Sequence, residues 1–62
     1  MITVLIVEDE PLIAEAHQTY LERLQGFSVA GVVHTARDAM RVVSESAAGE
    51  QPVDLVLLDI GL

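Results

Sequence analysis

The 62-residue sequence predicts an α/β fold: a parallel sheet assembled as β-α-β-α-β with strand order 2-1-3. Three observations predict it. The segments ITVLIV (residues 2–7) and VDLVLLDIGL (residues 53–62) carry apolar side chains on both strand faces, the pattern of parallel strands buried under helices on two sides. Between them, helix-periodic stretches alternate with another apolar run, and short right-handed crossovers make such an alternation parallel. Acids stand where the two most apolar strands end, Glu8 and Asp9 after the first and Asp59 in the third. Ligand sites of open parallel sheets gather at that end.

Taken in order, the first strand is β-branched and apolar and stops at Glu8, Asp9 and Glu10. Pro11 then suits the first helical position, where its missing N–H costs nothing and nearby acids complement the helix dipole. Leu12, Ile13, Ala16, Tyr20 and Leu24 fall at helical spacing, with Tyr20 expected in the core, and Gly26 is a ready stop in a left-handed cap. FSVAGVV (residues 27–33) reads as a second strand, less uniformly apolar and so nearer the sheet edge. Thr35 offers an N-cap hydroxyl with Asp38 three residues on. Ala36, Ala39, Met40, Val43 and Ala47 form the expected buried stripe of the second helix, whose small residues let it lie close to the sheet. The run from Ala48 to Pro52 ends it, and the third strand follows.

Composition narrows the function classes. Ten acids against Arg23, Arg37 and Arg41, with no Lys, give a net charge of -7, which argues against this segment holding nucleic acid by its phosphates. There is no Cys, so no disulfide. No signal-peptide pattern and no apolar run near about 20 residues occurs, and the expected location is cytoplasmic, without membrane contact. In a 2-1-3 order the third strand leaves a long apolar edge that proteins normally cover. The expectation is that residues 1–62 are the first half of a domain, with later strands and helices absent.

The 2-1-3 order places the carboxyl ends of strands one and three side by side, about 4.8 Å apart, so Glu8, Asp9 and Asp59 share one pocket rim. Two carboxylates about 4 Å apart repel by roughly 4 kcal/mol at an effective dielectric near 20, so a cation belongs between them. Mg²⁺ fits best, because it takes oxygen ligands and is usually held by one or two carboxylates plus a phosphate oxygen. With no Cys, and neither His expected beside the acids, zinc is disfavoured. Glu10 reads as a helix-terminal acid, His17 as a residue at the border of the first helix's apolar stripe, His34 as a polar strand end and Asp54 as a solvated turn acid. Met40 reads as core.

LIVEDEP at the start and LLDIGL some fifty residues later, with FSVAGVV between, resemble the first half of a receiver domain of the two-component response regulators, over the whole chain. The stretch GFSVAGVVHTARDAM is similar to the citrate and malate branch. The resemblance implies a flavodoxin-like sheet and a place in bacterial phosphorelay signal transduction rather than an enzyme. Asp59 matches the phosphoacceptor, which takes a phosphoryl group from a sensor histidine kinase. Asp9 matches the direct metal ligand, Glu8 the acid that reaches the metal through water, and Gly61 the residue whose backbone carbonyl completes the protein ligands of Mg²⁺. The family's hydroxyl residue after strand four and Lys after strand five have no counterpart in these residues. The resembling branch implies an output domain that regulates transcription, through which DNA is reached.

Two readings of other kinds stand beside this one. One is an interaction fragment that self-associates through the open edge of strand three. The other is a Mg²⁺-dependent phosphohydrolase of the haloacid-dehalogenase type with Asp59 as nucleophile, a type that typically carries a second Asp where Gly61 stands. A dinucleotide-binding half-fold is disfavoured because EDEP, not a glycine-rich turn, follows the first strand.

Overall fold

The computed structural model describes residues 1–49 and 52–59. β1 (Ile2–Glu8), α1 (Pro11–Arg23), β2 (Phe27–Val33), α2 (Ala36–Ala47) and β3 (Leu55–Asp59) follow in chain order. The strands pair in parallel as β2-β1-β3. The α/β class and the 2-1-3 order are therefore those expected from the sequence.

The core sits on the central strand. Val4, Leu5, Ile6 and Val7 are fully buried, each side chain worth roughly 2 kcal/mol of transfer free energy. Strand alternation divides them: Leu5 and Val7 pack with Ala39, Val33, Val42 and Val53 beneath α2, which turns Val4, Ile6 and Glu8 to the opposite face. Both helices pack over β1 and β2.

Several expectations about burial are corrected. β3 is not covered on both faces by the described residues; neither helix packs along it, and Leu55, Val56 and Leu58 are exposed. In α1 the face toward the sheet is Ala14, with His17, Gln18, Leu21 and Leu24 half-buried, while Leu12, Ile13, Ala16 and Tyr20 are exposed. The helix has apolar residues on more than one face, and small Ala14 permits the closest approach. In α2 only Ala39 of the expected stripe is buried; Val42 and Ser46 flank it, and Ala36, Met40, Val43 and Ala47 are exposed. Tyr20 at 63% and Met40 at 72% exposure are not core residues.

Local signals explain the element ends. Glu10 is the N-cap of α1 without a side-chain cap, and Pro11 occupies the first turn. The helix leaves helical geometry at Leu24, and Gly26, at φ 89, makes the left-handed turn into β2 rather than capping the helix. The Gly26 carbonyl accepts the Ile2 N–H at 2.7 Å, seating the start of β1. Thr35 Oγ1 accepts the Asp38 N–H at 3.1 Å, the cap the sequence predicts. At the far end of α2, Ser46 Oγ donates to the Val43 carbonyl and accepts the Val53 N–H, tying the helix to the approach of β3.

Candidate functional site

Glu8 closes β1 and Asp59 closes β3, and the two are partners on the last rung of the parallel ladder. Paired residues of parallel strands project to the same face, so both carboxylates lie on the side away from α2, the side α1 covers. Pro11 starts α1 three residues after Glu8, and the second turn of the helix brings His17 over the strand ends. One donor atom each from Glu8, His17 and Asp59 lie within 4.8 Å of one another.

The three differ in exposure. Glu8 is buried, at 3% exposure, while His17 is half-buried and Asp59 is exposed. Glu8 Oε1 accepts the Glu10 N–H at 3.1 Å. Glu8 Oε2 and His17 Nδ1 are both buried with no hydrogen-bond partner among the described residues. Burial pushes the Glu8 carboxyl above its ordinary range, the Glu10 N–H opposes this, and the charge and side-chain contact of Asp59, then the charge of Asp9, push it further up. The end of β1 is also held from β2: His34 Nδ1 donates to the Glu8 carbonyl at 2.8 Å.

Of the residues singled out from sequence, Glu8 and Asp59 are brought together. Asp9 is exposed in the bend after β1 and stands outside the converging group, reaching Glu8 through its charge. Gly61 lies outside the described residues. Glu10 takes part through its backbone N–H rather than its carboxylate. The expectation that neither His stands beside the acids is corrected, because α1 turns position 17, not Ala16 or Tyr20, toward the strand ends. The signal was available in the spacing of Ala14, His17, Gln18 and Leu21, which lie on one helical face.

The model for the response regulator receiver domain matches residues 4–62. The chain belongs to the response regulator receiver family. Curated relatives agree with the citrate and malate branch. The chain is 40% identical over 60 residues to the transcriptional regulatory protein MalR of Bacillus subtilis, covering 97% of this chain and 23% of MalR. It is 37% identical over 60 residues to the transcriptional regulatory protein DcuR of Escherichia coli K12, covering 97% of this chain and 24% of that protein. It is 38% identical, over the same length and with the same coverage, to the probable C4-dicarboxylate response regulator DctR of Halalkalibacterium halodurans. The receiver chain thus spans about a quarter of the length of the relatives it matches. No solved structure matches it. Among the described residues no helix is long and apolar enough to cross a membrane.

Receiver domains typically bind Mg²⁺ at an acidic site, and the residues present fit such an ion. Mg²⁺ asks for oxygen donors at 2.0–2.1 Å, hence roughly 2.9 Å apart when adjacent in an octahedron. One carboxylate oxygen each of Glu8 and Asp59 lie within 4.8 Å of one another, a donor pair within a side-chain adjustment of that spacing, and Glu8 Oε2 is buried without a partner among the described residues.

Proposed function

We propose that this receiver accepts a phosphoryl group on Asp59 from a phosphohistidine of a sensor histidine kinase. The convergence of a buried Glu8 carboxylate with an exposed Asp59 is the observation that carries the reading. In the transfer an Asp59 oxygen forms the new O–P bond as the N–P bond of the donor breaks, leaving the imidazole to the kinase. Such a step depends on in-line positioning and neutralisation of the equatorial oxygens more than on a protein acid or base. Glu8, Asp59 and, from the bend after β1, Asp9, with the Gly61 carbonyl, would hold the Mg²⁺ that would supply that neutralisation.

The names of MalR and DcuR support an output that regulates transcription, reached through parts of the protein beyond residues 1–62. Residues 1–62 then form the first half of the receiver, act in the cytoplasm without contacting DNA or membrane themselves, and are not an enzyme. The phosphohydrolase reading has no observation in its favour. A second association is supported by the exposed apolar residues of β3, an edge on which a second copy of the chain can pair.

The test is incubation of the full-length protein with a radiolabelled small acyl phosphate and Mg²⁺. Stable label on the unsubstituted protein, lost in Asp59→Asn, is expected; label retained in Asp59→Asn overturns the assignment.

A further inference from the structure

His17 has no part in the phosphoacceptor reading, yet it is the third member of the converging group. Glu8 Oε2 from β1, on a residue 97% buried, and His17 Nδ1 from α1 are both without a hydrogen-bond partner among the described residues, and each of these two side chains brings a donor atom to within 4.8 Å of the other. A buried polar atom left without a partner costs free energy, a cost that a ligand shared by Glu8 and His17 would remove. Imidazole lone pair and carboxylate oxygens are each donors to metal ions, and their mixture is informative. Oxygen alone suits Mg²⁺, whereas adding an imidazole nitrogen shifts affinity toward the borderline ions late in the first transition row.

We propose that His17 makes this pocket a three-donor centre, Glu8, His17 and Asp59, for a borderline divalent transition-metal ion of which Zn²⁺ is the representative. The inference rests on the metal-binding part of the reading above and not on phosphoryl transfer. Zinc accepts nitrogen at 2.0–2.1 Å and carboxylate oxygen at 2.0–2.2 Å, so donors around it stand roughly 3.4 Å apart. The present limit of 4.8 Å is closed by a movement of about 1.4 Å. Asp59 is exposed and at the strand end, free to swing without disturbing the core. Three protein donors leave the fourth tetrahedral position to water.

The test titrates Zn²⁺ into the protein while the two histidine rings are followed by ¹⁵N-edited NMR, with Co²⁺ absorption as a second readout. Zn²⁺ is expected to shift the His17 ring. His17→Asn is expected to weaken Zn²⁺ binding by at least about tenfold while changing Mg²⁺ affinity less than about twofold, and His17→Cys, which returns a zinc donor, to recover it. A shift confined to the His34 ring, or Zn²⁺ affinity unchanged in a folded His17→Asn variant, overturns the proposal. The NMR result on the unsubstituted protein decides the matter even where a variant fails to fold. Acyl-phosphate labelling of Asp59 without His17-dependent Zn²⁺ binding refutes this inference alone. Zn²⁺ binding through His17 without labelling refutes the phosphoacceptor reading alone.

Discussion

Glu8 and Asp59 are the last pair of the β1–β3 ladder, and one is buried while the other is exposed. Identical chemical groups in unlike surroundings acquire different duties. The buried carboxylate is the one whose charge most needs a counter-ion; the exposed one is reachable by a second protein.

That asymmetry predicts a pH dependence. The folded-state pKa of Glu8 lies above the ordinary value of 4.5, so its contribution to stability is full below the unfolded pKa and is lost as pH rises through the folded one. In thermal melts with a chelator present, the melting midpoint of the unsubstituted chain is expected to fall relative to Glu8→Gln as pH is raised from about 4 to neutral. The same substitution is expected to stabilise the metal-free chain at neutral pH and to weaken Mg²⁺ binding. Parallel pH profiles for the two chains would contradict the burial of this charge.

β3 is fastened to β1 by a two-bond clasp at its entry. The Thr3 N–H donates to Asp54 Oδ2 at 2.9 Å and the Asp54 N–H donates to the Thr3 carbonyl at 2.8 Å. Asp54→Ala removes the first bond and is expected to cost about 1 kcal/mol in urea unfolding, while Asp54→Asn, which keeps an acceptor, recovers most of it.

The Thr35 cap gives an independent scale. Thr35→Ala strands the Asp38 N–H at the start of α2, with an expected loss of about 1 kcal/mol and no effect on metal binding. Thr35→Ser, which keeps the acceptor, should remain near the unsubstituted chain in the same melts.

Strand identity and order were legible because they rest on strong local signals: doubly apolar ITVLIV, Pro11 after an acid cluster, Thr35 with Asp38. The meeting of Glu8 with Asp59 followed from order alone. What sequence could not resolve was helix rotation. α1 carries apolar residues at 12, 13, 16 and 20 and a mixed set at 14, 17, 18 and 21, and periodicity favours the first while close packing over β1 and β2 selects the second. Periodicity therefore puts His17 at the border of the apolar stripe, whereas packing puts it over the strand ends. Met40 is exposed for the same reason, since Val42 and Ala39 pack with Leu5 and Val7. Asp54 is exposed at the amino end of β3, as its position predicts, and its bond to the Thr3 N–H is the addition, because a backbone clasp leaves no mark in composition.

Helix approach depends on small residues at Ala14 and Ala39, at 3% and 9% exposure. Ala39 lies against Leu5 and Val7, so Ala39→Leu inserts three carbons into filled space and is expected to destabilise by about 1–3 kcal/mol. Met40→Leu, one residue on and exposed, should be nearly neutral. Equal effects at the two positions in denaturant titration would mean that α2 is rotated from the face described here.

β3 offers the last prediction. Its described residues pair with β1 on one side only, and Leu55, Val56 and Leu58 remain 49%, 41% and 61% exposed. An apolar strand with unpaired N–H and C=O groups along one side is a template for another strand. The 62-residue chain alone is therefore expected to self-associate, its weight-average mass in sedimentation equilibrium rising with concentration. Leu58→Lys places a charge on that edge without touching Glu8 or Asp59 and should shift the equilibrium toward monomer. A chain that stays a monodisperse monomer and unfolds cooperatively would show that this edge needs no partner.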